Sequence, residues 1–542
     1  MKIVLTSTLC LCCNACVLSC SVLLPFRLYY EDQAVVEVSR KLHIAIGNQS
    51  QNLPSHVFNN LISRLVDSGI NLLTNESKDI KYKIAGLVVL DCLLDVECEI
   101  MPERRIEIAN QLRKVLENER QNVEVEASVL RKAAAVIGHL AHVASTTEIE
   151  FLQDFYVTNA IKWLGDQRSE ARFFSGVLIL TQISINSPAL IFAKRKNFFS
   201  VIWEVLFDKS LTIREAAAAS LSAVLLLVSQ RETFDEYVRM ALQQMEIGFA
   251  STSSEKIHGS MLILDCMLKG STIPVKELLN TIRNVNVRLQ DLFWEILSRK
   301  DSKDLNIKRQ VIVLIPKLAL TSPSTFVQRN QYTQPLNFLS YSVRHILNAI
   351  YGHKDREIGY ISLGNLLVCM ASALKGVNAI VDDVIQAIKK GFKEPFCMEA
   401  LKCLSVVVQS SPSAQSFIDP PLISSMFLGG LTPDLISSLK VIVKVAPDIR
   451  GQVQSRLRNQ INHILLNHSV RKEEVGGAQQ HKRTLSNPPA TNILGGFFSS
   501  KSTTKKTTKG DEPSSDEELV LALKVLANFD FMPSQYIKVK CY

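Results

Sequence analysis

A polar residue, basic in all but the last case, is expected to open a strongly apolar helix at Lys83, Arg131, Arg172, Arg214, Lys256, Arg309, Arg356 and Glu399. The successive spacings are 48, 41, 42, 42, 53, 47 and 43 residues. A self-similar period of this length is the mark of an array in which one small unit is stacked on the next. Each helix pair of such an array exposes more apolar surface than its own partner covers, so neighbouring pairs must bury the remainder. The feature constrains the fold strongly, because a globular core has no reason to return to the same pattern eight times.

The chain has 542 residues, whereas single cores stop growing near roughly 250 to 300 residues. A repeat array escapes that limit. Hydrophobic residues make up 47% and charged residues 21%, enough apolar surface for a large core and too little charge for general disorder. Glycine (22) and proline (18) are sparse, and runs such as Ile213, Ala217, Leu221, Val224 and Val228 keep the helical interval. The expected fold class is all-α: a HEAT/armadillo-like α-solenoid of stacked antiparallel helix pairs, whose units run to about 40 to 47 residues.

Two units are clearest, Asp166 to Leu180 and Asp208 to Leu225, each with an Asp six residues before an Arg (Asp166 and Arg172, Asp208 and Arg214). An Asp at the turn accepts from orphan amides of the next helix, and an Arg one turn in reaches carboxylates of adjacent units. Ala216 to Ala219 supplies four small residues for close helix approach.

The domain expectation is a hydrophobic, Cys-rich leader over 1–30, a solenoid over 31–475, a basic Ser/Thr/Lys-rich linker over 476–513, and the start of a further helical repeat over 514–542. Ile3 to Phe26 carries no charge and is long enough to span a bilayer. Three readings stay open for it: a signal or anchor, an atypical or mispredicted leader, and a buried first helix. The sequons at Asn48, Asn75 and Asn467 matter only if the anchor is real.

Of twelve cysteines, Cys10, Cys12, Cys13, Cys16 and Cys20 crowd the leader. Cys92, Cys266, Cys369 and Cys403 sit in apolar helical runs, as reduced core thiols do. Dense cysteines suggest a metal or palmitoyl groups, but the five lack a second Cys-x-x-C pair at finger spacing.

The segments "KIAGLVVLDCLLDVE" (Lys83 to Glu97), "EARFFSGVLILTQI" (Glu170 to Ile183), "FFSVIWEVLFDKSLTIREAAAASLSAVLLLVSQRET" (Phe198 to Thr233) and "EKIHGSMLIL" (Glu255 to Leu264) resemble the amino-terminal HEAT region of target-of-rapamycin (TOR) Ser/Thr protein kinases, of the PI3K-related kinase family. The resemblance runs from about Val57 to Phe531, where "LVLALKVLANFDF" (Leu519 to Phe531) is similar to the helix that resumes the solenoid after a linker. It implies a scaffold of the TOR complex in nutrient and growth signalling. The implied partners are a raptor-like or rictor-like subunit, a Rheb-type small GTPase and TOR itself as a dimer. The implied location is cytoplasmic, with endomembrane, lysosome or vacuole surface and nucleus. A secreted or anchored protein follows instead if the leader is real.

Family members continue to a kinase domain, whereas this sequence ends at Tyr542 without a Gly-rich phosphate loop, a His-Arg-Asp or an Asp-Phe-Gly triplet. No catalytic, cofactor-binding or metal-ligating residue is carried over, and no cofactor is expected. Two other readings remain: a truncated product of a TOR kinase gene, and an importin-like or phosphatase-regulatory HEAT scaffold.

Net charge is +9, but Lys482, Arg483, Lys501, Lys505, Lys506 and Lys509 lie together in the linker, so the folded part is only mildly basic. With three Trp and bases interleaved with acids, no stacking stripe for nucleic acid is evident. His139 and His142 stand i, i+3 on one helix with no carboxylate at ligand spacing, and are expected to be ordinary helix-face residues. Arg483, Thr484, Leu485 and Ser486 form a basic-directed phosphosite. Ser515 to Glu518 reads as a capping box at a helix start.

Overall fold

The computed structural model describes residues 33–74, 80–118, 123–144, 156–165, 169–229, 234–269, 288–299, 305–327, 337–352, 355–370, 378–393, 396–410, 418–476 and 520–525. The leader, its five cysteines, Asn75, Asp166, the phosphosite and the capping box lie outside the described residues, as does nearly all of the linker. Among the described residues there is no β-strand. They fall into two compact units, 1–282 with 300–310, and 283–299 with 311–542.

In the first unit the helices are α1 (Gln33–Asn52), α2 (Ser55–Thr74), α3 (Ile80–Leu93), α4 (Met101–Leu116), α5 (Val123–Val143), α6 (Thr158–Gly165), α7 (Glu170–Asn186), α8 (Pro188–Ala193), α9 (Arg195–Leu206), α10 (Leu211–Val228), α11 (Phe234–Phe249) and α12 (Ser254–Lys269). They pair as α2 with α3, α4 with α5, α6 with α7, α9 with α10 and α11 with α12. The second member of each pair then packs on the second member of the next, α3 on α5, α5 on α7, α7 on α10 and α10 on α12. The first members form the other layer, with α2 on α4 and α6 on α9.

Residue patterns explain which helix takes which layer. On α11 the buried side chains are Phe234, Tyr237, Val238, Ala241 and Met245, a single stripe at helical spacing. That is what a helix covered on one side needs. On α10 burial extends round the helix, through Ile213, Ala216, Ala217, Ala218, Leu221, Val224, Leu225 and Val228. Its neighbours α7, α9, α11 and α12 approach from several directions. By length and composition α10 also qualifies as a membrane span, yet more than half of it is buried within the unit.

In the second unit a helix over 288–298 precedes the later part of α13 (Leu305–Thr321). Then come α14 (Pro323–Val327), α15 (Phe338–Tyr351), α16 (Arg356–Cys369), α17 (Asn378–Gly391), α18 (Glu399–Ser410), α19 (Pro420–Met426), α20 (Pro433–Val445) and α21 (Arg450–Gly476). The layering repeats: α15 pairs with α16 and α17 with α18, while α16, α18 and α20 pack in succession. The array is therefore a HEAT-like solenoid of helix pairs in each unit.

Helix starts are set by short polar side chains. Ser169, Asn337, Asp419 and Thr432 each accept from the amide three residues on, at 3.3, 2.9, 2.8 and 3.2 Å. Proline follows Asp419 and Thr432 at a position whose amide has no intrahelical partner. Gly430, with φ 78, turns the chain after α19 in the left-handed region that favours glycine.

Candidate interaction surface

Lys83, Arg131, Arg172, Arg214, Lys256, Arg356 and Glu399 each lie on the second helix of a pair, which makes their common function visible. Lys83 on α3 pairs with Glu126 on α5 at 3.1 Å. Arg131 on α5 lies over the Phe174 ring of α7, 5.3 Å from its centroid. Arg214 on α10 donates through Nε to Nδ1 of His258 on α12 at 3.2 Å. Each cation reaches one repeat forward, tying successive layers by polar contacts that tolerate little sliding.

Two expectations about this ladder change. Arg131 does not open its helix, because α5 begins at Val123, two turns earlier. The arginines also do not all seek carboxylates. Arg214 turns its other donors onto the carbonyls of Asp208 (2.6 Å) and Lys209 (3.0 Å), and Arg356 donates to the carbonyl of Lys390 (2.9 Å). Asp208 and Lys209 sit in an inter-helix turn and Lys390 in the last turn of α17, where carbonyls lack intrahelical partners, and a guanidinium has enough donors to satisfy several. Asp208 behaves as expected for a turn residue, accepting from the Ser210 amide at 2.7 Å.

Small residues follow the cations by three or four positions: Gly86 after Lys83, Gly176 after Arg172, Ala217 and Ala218 after Arg214, Gly259 after Lys256, and Gly359 after Arg356. They mark where helices cross at close range, within a pair or between neighbouring pairs. A Cβ on Gly86 would stand 2.6 Å from the Gly69 carbonyl oxygen, and one on Gly259 would stand 2.3 Å from that of Leu206. Backbone approach this close leaves no room for a side chain. The alanine run was legible in the sequence; the glycines carry the same signal but stand out only once the cations are aligned.

His139 and His142 separate in the structure. His142 lies near the carbonyl of Asn186 (3.4 Å), as a helix-face residue does. His139 has the carboxylates that local spacing did not reveal: Nδ1 meets Asp91 Oδ1 and Nε2 meets Asp95 Oδ1, both at 2.8 Å. Lys132 also pairs with Asp91, at 2.6 Å. Burial disfavours the imidazolium, but hydrogen bonds to Asp91 and Asp95, together with their charges, raise His139 to about 9. Burial likewise works against the Asp91 carboxylate, yet Lys132 and His139 hold it well below the usual carboxylate range. His139 is thus a cation clamped between two anions. His258 is its opposite: burial and the Arg214 charge lower it to about 4, so it stays neutral and accepts.

The partners of these groups are 41 to 48 residues away in sequence, as in Lys132 with Asp91 and His139 with Asp91 and Asp95. Adding one repeat period to a polar residue was the available signal, and it outperforms a search for local motifs.

Among the described residues no group of three or more His, Cys, Asp or Glu is arranged to hold a metal. Cys92, Cys266 and Cys403 are buried as core thiols, whereas Cys369 is only half-buried. The exposed apolar residues have a pattern. Ile185 and Leu226 stand near the ends of the adjacent helices α7 and α10 in the first unit, with Leu226 58% exposed. Leu320 and Val368 hold the same helix-end positions on α13 and α16 in the second.

The chain is similar to a stretch of the TOR kinases. It is 26% identical over 440 residues to the serine/threonine-protein kinase TOR of Oryza sativa subsp. japonica, covering 80% of this chain and 17% of that protein. It is 25% identical over 418 residues to tor1 of Schizosaccharomyces pombe, covering 75% and 16%, and 25% identical over 499 residues to TOR of Arabidopsis thaliana, covering 89% and 18%. The chain thus spans about a sixth of the length of these curated relatives. No protein-family model matches the sequence. Among solved structures, yeast importin-beta (Kap95p) aligns with a TM-score of 0.49 at 12% identity, over 80% of this chain and 52% of that one.

Proposed function

We propose that this chain is a non-catalytic protein-interaction scaffold that helps assemble a TOR complex and so serves nutrient and growth signalling. The observation that carries the reading is the TOR similarity spread over 80% of the chain, on a fold whose periodic polar residues tie one helix pair to the next. Supporting it, the apolar helix-end residues Ile185, Leu226, Leu320 and Val368 remain open for contact. By resemblance the partners are a raptor-like or rictor-like subunit, a Rheb-type small GTPase and TOR itself as a dimer, met in the cytoplasm or at an endomembrane surface.

The test is affinity purification of the tagged chain from its own cells followed by mass spectrometry. A raptor-like or rictor-like subunit is expected to co-purify. Recovery of a nuclear-transport GTPase or a phosphatase catalytic subunit in its place sinks the TOR reading and supports a carrier or phosphatase scaffold. The purified chain alone is expected to transfer no phosphate from ATP to protein substrates.

A further inference from the structure

The folded part holds a local excess of positive charge at the end of the second unit. Across residues 436–465, Lys440, Lys444, Arg450, Arg456 and Arg458 face a single acid, Asp448. The one acid of α20 before them, Asp434, is engaged by Lys402 of α18 at 3.2 Å. Lys440 and Lys444 are exposed one turn apart on α20. On α21, which packs against α20, Gln452, Arg456, Asn459 and His463 form one exposed stripe at helical spacing without an acid. Among the described residues no carboxylate pairs with Lys440, Lys444, Arg456 or Arg458.

We infer that this face of α20 and α21 docks an acidic, carboxylate-rich segment of a partner protein. Like charges held side by side on a folded surface repel, and an array of them without interleaved acids is an electrostatic footprint for an anionic partner. What is missing selects among anions. Residues 433–465 contain no Phe, Tyr or Trp on which bases could stack. No large apolar side chain of α20, or of α21 as far as residue 465, is among the exposed ones, so a lipid surface finds nothing to take into its acyl region. Arg456 offers a planar fork of donors that matches a carboxylate in two places, and Lys440 and Lys444 on the adjoining helix supply two point charges one turn apart. The inference deepens the scaffold reading and rests on it: it adds one contact surface and the chemistry of its partner.

Fluorescence anisotropy with a labelled Glu/Asp-rich peptide of about 16 residues tests it, using the full chain at low and moderate salt. The triple variant Lys440→Glu, Lys444→Glu, Arg456→Glu is expected to bind at least ten-fold more weakly. A control with the same charge change elsewhere, Lys162→Glu, Lys196→Glu, Lys209→Glu, is expected to lose less than three-fold. If the reversal variant melts early, the neutral Lys440→Gln, Lys444→Gln, Arg456→Gln is used and should weaken binding three-fold or more. Equal losses in patch and control overturn the proposal, as does tighter wild-type binding to single-stranded DNA or phosphatidylserine vesicles than to the peptide. Retention of a raptor-like subunit by a chain that ignores the peptide defeats this surface alone and leaves the scaffold reading standing.

Discussion

His139 on α5 and Asp91 on α3 meet at 2.8 Å across successive repeats, and the contact makes one layer of the stack sensitive to alkali. Folding raises His139 to about 9, above the roughly 6.5 of an unfolded histidine. The folded state therefore binds the extra proton, so the stabilisation is fully present below about pH 6.5 and is lost as pH rises through about 9. Thermal melts of wild type and His139→Gln between pH 6 and 10 should converge with rising pH, from a gap on the order of 1 to 3 kcal/mol. A gap independent of pH counts against the clamp. Asp91→Asn, which removes the carboxylate shared by Lys132 and His139 and leaves His139 its contact with Asp95, should cost roughly 3 kcal/mol.

His258 should show the reverse dependence. Its folded value is lowered to about 4, so between about 4 and 6.5 the unfolded chain binds the proton and the folded one does not. The stability it permits is complete above about pH 6.5 and is lost as pH falls toward 4. His258→Gln keeps an acceptor for Arg214 without titrating. Its melting temperature relative to wild type should therefore rise on acidification over that window; parallel curves would show that His258 does not titrate as the geometry requires.

Helix crossings make glycine positions unequal. Gly259→Ala places a Cβ 2.3 Å from the Leu206 carbonyl oxygen, and α9 and α12 must separate to admit it. Overpacking of this kind costs about 1 to 3 kcal/mol. Ala217→Phe, at a fully buried position on α10, should cost a similar ~1 to 3 kcal/mol. Gly47 within α1 has nothing within 4 Å, so Gly47→Ala should stabilise by about 0.5 to 1 kcal/mol through helix propensity alone. Denaturant midpoints for the three variants check the order, and a Gly259→Ala chain as stable as wild type would contradict the crossing geometry.

Cysteine labelling should separate two classes. Cys403 is buried, donates to the Tyr360 carbonyl at 2.9 Å, and burial pushes its thiol up to about 12. Cys92 and Cys266 are also buried. Thiolate is the reactive form, so these three should resist iodoacetamide in the native chain while half-buried Cys98 and Cys369 react before them. Peptide mapping after timed alkylation measures the order, and early modification of Cys403 would place it on an accessible surface.

Legibility varied with the range of the interaction. The period of Lys83, Arg131, Arg172 and Arg214 put the helix pairs in register from sequence, and Ala216 to Ala219 announced a close crossing. The turn role of Asp208 was legible too, because it depends on neighbours two residues away. Arg131 was misplaced within its helix, since a polar residue opening an apolar run does not reveal where an amphipathic helix begins. His139 was read as solitary because its carboxylates lie 44 and 48 residues away, on and just after a different helix.

By itself the sequence determined the class of architecture: apolar runs repeating at one length make stacked helix pairs, because each pair must bury what its own partner leaves bare. Tertiary structure alone decided which polar groups meet and in what charge state. His139 is raised and His258 lowered, though both sit on the second helix of a pair, because one faces two carboxylates and the other a guanidinium. That difference is electrostatic and acts over a few ångströms, so only the packing of one repeat on the next could set it.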